Sequence, residues 1–474
     1  MGRKVTLIMP CYNAEQYIDV MIASVYAQIH DDVELICVDD GSTDNTRLKL
    51  DAWKPIIEKR GYTMIVKSKE NGGVADAINM GLRLMTGDYV CFPDDDDMLL
   101  PGYVSKMLSC FEAHPTVKWV KCDAFSYNNA KYNEVTLRSE SFHNYTDMKC
   151  LVENFLACRE RWAVWTIMVR ADFFRECFPD MRLEVERLNR RVSQEFQINL
   201  PLAYKSPYMY IDTPLYFYFN RSDGTRKSQV DTGYTQAVSY FEGCYDIARK
   251  VISKLNVLPE KAEKWEQIID ITLNLKRTFY ATKFNQSELR NEHIENQLEL
   301  IRPLLPSNIF KMTATLNSDY FHRLLADCAI DRIIYTPDEL RVKLDSVTKE
   351  MYNTLKNNRV ILYGGGEVGS TFSVLFKAMG IEPECIWDSN AEAMKGKISG
   401  IPILHPNIDK LTAGEKQEIV VVISIWKRHY EKEAMNLLQN NNIKNIVPVR
   451  DVHDMLRFTI NTELHMFDNI ESRG

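Results

Sequence analysis

Within the first ~125 residues, short apolar runs alternate with stretches of helical periodicity, a pattern that constrains the chain to βαβ units around a parallel sheet. Strands are expected at Val5–Met9, Val33–Val38, Tyr62–Lys67, Tyr89–Phe92 and Val117–Cys122. Between the first two, Asn13-Ala-Glu-Gln16 reads as a capping box that opens a helix, with Tyr17, Met21 and Val25 on one face. Further helices are expected near Asp44, from Val74 to Met85, and after Pro101, where proline suits a first turn.

The ends of these strands carry the chemistry. Asp94-Asp95-Asp96-Asp97 follows the fourth apolar run, and Asp39-Asp40-Gly41-Ser42 closes the second. Pro10-Cys-Tyr-Asn13 ends the first, and Asn71-Gly72-Gly73 follows the third. Ligands of open parallel sheets gather at the carboxyl ends of strands. Crowded carboxylates repel one another unless a cation sits among them, and Mg or Mn takes oxygen ligands while bridging to substrate phosphates. An aromatic ring and a carboxylate at adjacent strand ends could stack on a base and bond its edge, and glycine lets backbone approach phosphates closely. Taken singly, a residue like Tyr12 is more often a packing residue and Asn71-Gly72 merely a turn; their common order along one sheet points to a site.

Composition narrows the class. The chain has 474 residues, 45% hydrophobic and 26% charged, as in globular proteins of more than one domain. A net charge of −7 argues against nucleic acid as a partner. The 11 cysteines show no C-x-x-C pair and no metal spacing, which reads as buried thiols in a reducing compartment. Without an apolar stretch of about 18 residues or a signal peptide, the expected location is cytoplasmic, with peripheral association at the inner face of a membrane left open.

Strand signals fade from about Asp231 to Asn357, where amphipathic segments such as Tyr234–Leu255 and Glu260–Phe284 indicate helices. A second βα series begins at Arg359–Tyr363, with strands near Cys385–Trp387 and Ile419–Ile423. Gly364-Gly-Gly366-Glu-Val-Gly369 opens a helix after its first strand, and Asp388 closes the next, a fingerprint of nucleotide-binding folds. The expected division is a catalytic domain over 1–228, a helical domain over 229–356, a Rossmann-like domain over 357–458 and a tail over 459–474. The helical middle could form an oligomer interface or pack on the chain's own sheet.

The combination of P-C-Y-N at Pro10–Asn13, V-D-D-G-S-T-D at Val38–Asp44, G-D-Y at Gly87–Tyr89 and D-D-D-D-M-L-L-P at Asp94–Pro101 resembles the inverting family 2 glycosyltransferases and their A-type fold. The resemblance covers about residues 3–225. It implies a metal-dependent enzyme moving a sugar from a nucleotide-diphospho-sugar, expected to be UDP-linked, to a hydroxyl of a glycan or lipid-linked acceptor in surface polysaccharide synthesis. By position, Pro10, Tyr12, Asp39, Asp40, Asn71, Gly72, Asp94 and Asp95 would hold the nucleotide, with Tyr12 on the base and Asp40 at its edge. Asp96, with Asp94, would bind Mn or Mg. The family's catalytic base comes from an E-D-W-like segment; here Ser193-Gln194-Glu195-Phe196 stands there, so Glu195 takes the role, with Glu184 and Glu186 as fallbacks. The competing reading of Glu195, less favoured, is a helix N-terminal acid held by the dipole. Asp97 and Trp165, together with Trp162, would face the acceptor, although tryptophans here fit core packing as well. The basic stretch Arg221–Lys227 could close over the diphosphate or be a linker.

The C-terminal fingerprint resembles the small Rossmann-like domains attached to enzymes of bacterial surface-polysaccharide synthesis, including the stretch Gly396–Leu404. Its glycines, Gly364, Gly366 and Gly369, fit a binding or scaffolding module better than a dehydrogenase. Two alternatives remain: a non-catalytic glycan-binding protein, and an NAD(P)-dependent protein working through this C-terminal domain.

Overall fold

The computed structural model describes residues 3–128, 137–140, 148–161, 163–183, 194–220, 230–314, 316–347, 349–394, 397–426 and 428–462. Trp162, Glu184, Glu186 and the basic stretch Arg221–Lys227 lie outside them. The chain divides into two compact units, Met1–Ile269 and Asp270–Gly474.

The first unit is built on a nine-stranded mixed sheet. In chain order the strands are β1 (Val5–Cys11), β2 (Val33–Asp39), β3 (Thr63–Ser68), β4 (Tyr89–Cys91), β5 (Met98–Leu99), β6 (Trp119–Asn128), β7 (Leu137–Glu140), β8 (Ile167–Arg170) and β9 (Met209–Asn220). They lie in the order β3-β2-β1-β4-β8-β6-β9-β5, and β7 pairs with β6. β3, β2, β1 and β4 run parallel, as the alternating pattern requires. The fifth expected strand, at 117–122, is β6, and it does not pair with β4. Instead β8 enters between them, antiparallel to both. Every residue of its Ile-Met-Val-Arg run is buried, which suits a central place in a sheet covered on both faces.

β2 is buried along its whole length and β1 nearly so, because helices cover both faces. Side chains alternate across the sheet. Val5, Leu7 and Met9 pack with Ile18, Met21 and Val25 of the helix Ile18–Tyr26 and with Leu50 and Ile57 of the helix Thr46–Lys59. Ile8 faces the other way and meets Gly81 of the helix Val74–Leu84, so closely that an added Cβ would lie 2.3 Å from it. The expected capping box at Asn13 does not form. The first helix starts at Ile18, without a side-chain cap, and Asn13 has a φ of 50°. Its amide oxygen accepts instead from Thr43 N at 2.8 Å, so the side chain serves the neighbouring strand end.

The helix Tyr234–Lys254, beyond the expected boundary at 228, belongs to this first unit and packs against the helix Glu195–Lys205. Phe196 meets Tyr245 with ring centroids 5.2 Å apart, and the Tyr245 hydroxyl donates to Leu156 O at 2.7 Å.

The second unit holds helices, among them Asp319–Ile334, and a sheet of β10 (Arg359–Tyr363), β11 (Pro383–Trp387), β12 (Lys397–Ile398), β13 (Ile401–Leu404), β14 (Ile419–Ile423) and β15 (Asn445–Val447). The order is β12-β13-β11-β10-β14-β15, parallel except for β12. β10 is central, so the chain winds first to one side and later to the other. Beyond the expected end of this region at 458, the helix Val449–Thr462 continues to Thr462. No helix of the described residues is long and apolar enough to cross a membrane.

Candidate active site

Four strand ends meet at one edge of the first sheet, tied by hydrogen bonds between their loops. Asp40 N donates to Cys11 O at 2.8 Å and Lys69 N to Asp39 O at 3.0 Å, which joins the ends of β1, β2 and β3. Tyr12 N donates to Asp95 Oδ2 at 2.9 Å, which joins β1 to the acidic loop after β4. The expected nucleotide residues therefore come together. Several of them hold one another more than they face outward.

Asp39 and Asp40 are each 4% exposed. Asp39 accepts from Ser42 N at 3.0 Å and from Ser68 Oγ at 2.8 Å. Asp40 Oδ1 accepts from Lys69 Nζ at 2.7 Å and Gly72 N at 2.9 Å, and its Oδ2 from Gly73 N at 2.8 Å. Both carboxylates, expected at the ligand, thus shape the loops around it. Gly73, with a φ of 89°, supplies a backbone turn that other residues resist, and the helix Val74–Leu84 follows at once. Lys69 also reaches Asp76 Oδ2 at 2.7 Å. Burial opposes its charge, but the two aspartates outweigh that and raise its pKa. Sequence reasoning missed Lys69, although a lysine between the end of the third strand and the Asn71-Gly72-Gly73 turn was a usable signal.

Tyr12 is 37% exposed, one of the large apolar residues left at the surface, and Asn71 and Gly72 are exposed beside it. Pro10 is half-buried within β1.

The acidic loop lies between β4 and β5. One carboxylate oxygen each from Asp94, Asp96 and Asp97 lies within 4.8 Å of the others. Asp94 and Asp96 are half-buried, whereas Asp97 is fully buried. Asp97, expected on the acceptor side, turns inward: its Oδ1 accepts from Phe219 N at 2.9 Å, and its buried Oδ2 has no hydrogen-bond partner. Burial first, then the carboxylates of Asp96 and Asp94, push its carboxyl well above the usual range. An all-carboxylate set with an orphaned buried oxygen fits a hard divalent cation such as Mg or Mn.

Trp165, also expected to face the acceptor, is 7% exposed and belongs to the core. It stacks on Tyr216 at 4.4 Å and on Tyr218 at 5.3 Å. Glu195 is half-buried and is the first residue of its helix, where the dipole favours an anion. The turn Val164–Thr166 packs against that helix and also against β4 and β9, so it lies between the Glu195 helix and the strands that flank the acidic loop.

In the second unit, the glycine fingerprint is closed on itself. Gly365 N donates to Asp388 Oδ2 at 2.7 Å, and Asn390 N to Asp388 Oδ1 at 2.8 Å. A Cβ on Gly369 would lie 2.1 Å from Gly364 O, so this glycine serves close helix–strand packing. A Cβ on Gly366 would meet nothing within 4 Å.

Residues 6–165 match the model of the family described as glycosyl transferase family 2. An uncharacterised glycosyltransferase of Haemophilus influenzae is 36% identical over 108 residues, 23% of this chain and 32% of that protein. The minor teichoic acid biosynthesis protein GgaB of Bacillus subtilis is 33% identical over 111 residues, 23% of this chain and 12% of that protein. The chain thus spans less than half the length of either relative. The crystal structure of residues 1–349 of TarS from S. aureus, in complex with UDP-GlcNAc, superposes loosely, with a TM-score of 0.43 and 16% identity over 70% of this chain and 89% of that one. The matched segment places the N-terminal domain in glycosyl transferase family 2, with the A-type architecture that its motifs imply.

Proposed function

We propose that this family 2 domain makes the chain a metal-dependent inverting glycosyltransferase, which moves a sugar from a UDP-linked donor to a hydroxyl of a glycan or lipid-linked acceptor in surface polysaccharide synthesis. The observation that carries the reading is the meeting of three carboxylates, Asp94, Asp96 and Asp97, within 4.8 Å at the strand edge where Tyr12 stands exposed. The relative named for teichoic acid biosynthesis supports the acceptor class.

In this reading the Tyr12 ring stacks on the base, and the turn held by Asp40 keeps the backbone of Asn71-Gly72 beside the donor. Asp94 and Asp96 would hold Mn or Mg, beside the buried Asp97. The bound cation would supply charge neutralisation for the diphosphate leaving group. Inversion calls for a base on the opposite face of the sugar, and Glu195 accepts the proton of the acceptor hydroxyl. The glycine fingerprint of the second unit acts as a scaffold, since Asp388 already occupies Gly365 N.

Calorimetric titration of the full chain with UDP tests this. UDP should bind more tightly with Mn than with EDTA, and Asp96→Ala should lose that increment while still folding. Equal UDP affinity in both buffers, or binding of NAD(P) but not UDP, would defeat the reading, the latter in favour of a nucleotide site in the second unit.

A further inference from the structure

The acidic loop has little regular structure of its own, since β5 is only two residues long. It is held by β9. Leu100 N donates to Leu215 O at 2.9 Å, and Met98 and Leu99 pair antiparallel with Phe217 and Tyr216. Phe219 N secures Asp97, and Asp94 N donates to the Tyr216 hydroxyl at 3.1 Å. Leu215 to Phe219 therefore grip the loop from its leading aspartate to its exit. Within that grip the Tyr216 hydroxyl is the contact at the leading end, on the backbone of a residue whose carboxylate belongs to the cluster.

Tyr216 is itself held firmly. It is fully buried, with its ring stacked on Trp165 at an interplanar angle of 23° and its centroid 6.1 Å from that of Tyr103. The Tyr103 hydroxyl donates to Trp165 O at 2.9 Å, which fixes the tryptophan's backbone in turn. Packing alone would be served by phenylalanine. A hydroxyl at this depth needs hydrogen-bond partners; here it accepts from the Asp94 amide and faces the Asp97 carboxylate.

We infer that Tyr216 is a positioning residue for donor binding: its hydroxyl fixes the Asp94 backbone so that the Asp94 and Asp96 carboxylates stay within reach of one cation, and Trp165 fixes the ring of Tyr216 from behind. The inference rests on the reading of the acidic cluster as a cation site and deepens it. It also gives Trp165 a task that suits its burial, at one remove from the reacting atoms.

The test is UDP calorimetry on the full chain in Mn and in EDTA, with melting of the ligand-free protein alongside, for the wild type and Tyr216→Phe. Loss of the hydroxyl, which serves the Asp94 amide and faces the Asp97 carboxylate, should weaken Mn-dependent UDP affinity roughly three- to tenfold, with affinity in EDTA unchanged. A merely structural hydroxyl would lower the melting temperature and leave the ratio of Mn to EDTA affinities at the wild-type value, which would overturn the inference. Should Tyr216→Phe fail to fold, Trp165→Phe loosens the ring while keeping the hydroxyl. A smaller fall in the same ratio is expected there, and an unchanged ratio counts against the inference. A wild type indifferent to Mn would remove the cation site itself, and the inference with it, an outcome visible before any variant is compared.

Discussion

An Asp40→Asn protein should melt several degrees below the wild type and bind UDP more weakly as a consequence. The Asp40 carboxylate accepts from Lys69 Nζ, Gly72 N and Gly73 N, and only 4% of the residue is exposed. Asparagine keeps the size but has one acceptor oxygen. In one orientation its NH2 faces Gly73 N; in the other it faces Gly72 N and the Lys69 ammonium. Either way at least one bond becomes a donor–donor clash, and Lys69 keeps only Asp76 as its anionic partner at 2.7 Å. A hydrogen bond to a charged group contributes about 1.5–3 kcal/mol, so a loss of about 2–4 kcal/mol is expected. For a unit of this size that corresponds to a fall in melting temperature on the order of 5–10 °C. Scanning calorimetry of the ligand-free chain measures it, and UDP titration in Mn gives the accompanying loss of affinity. A variant that melts with the wild type yet loses UDP affinity a hundredfold would refute the reasoning, because Asp40 would then act on the nucleotide and not on the loop.

Tyr12→Ala should raise the Kd for UDP roughly ten- to a hundredfold, since stacking of a base on an aromatic is worth about 1–3 kcal/mol; unchanged titration curves would make Tyr12 a surface residue only. Glu195→Gln should lower kcat by about 10²–10⁴ with UDP affinity unaltered, and a change confined to UDP affinity would move Glu195 to the donor side. His322, 3% exposed, has its pKa lowered by burial to about 4. Its native state thus favours the neutral ring: the stability this confers is present above the ordinary histidine value and is lost as pH falls towards 4, by about 3 kcal/mol in full. Urea midpoints between pH 7 and 4 should fall more steeply for the wild type than for His322→Gln, and parallel profiles would contradict the assignment.

The local pattern of the chain determined the parallel strands of both βα series closely, because alternation and helical periodicity are properties of neighbouring side chains. The strand expected at Val117–Cys122, however, runs Trp119–Asn128, and β8 and β9 carried no such signal. Val33–Val38 was expected and Val33–Asp39 is found; Arg359–Tyr363 and Ile419–Ile423 match outright. The ordering of Pro10–Asn13, Asp39–Asp40, Asn71–Gly73 and Asp94–Asp97 at one sheet edge was legible for the same reason, since parallel strands bring like ends together. Partnership was not legible. Nothing near Ile167–Arg170 says that it separates β4 from β6, and nothing near Tyr234–Lys254 says that it packs on the Glu195 helix. The same limit governs individual side chains. Asn13 looked like a helix cap because its neighbours fit one, yet its partner is Thr43, and the bonds of Asp39 and Asp40 to Ser42, Ser68, Lys69 and Gly73 were not legible either. Hydrogen bonds between loops depend on where distant strand ends arrive, and that arrival is decided by the packing of the whole sheet. Tertiary structure alone could therefore show that the carboxylates of Asp39 and Asp40 hold the loops, and that those of Asp94 and Asp96, backed by Tyr216, gather with that of Asp97 within 4.8 Å of one another.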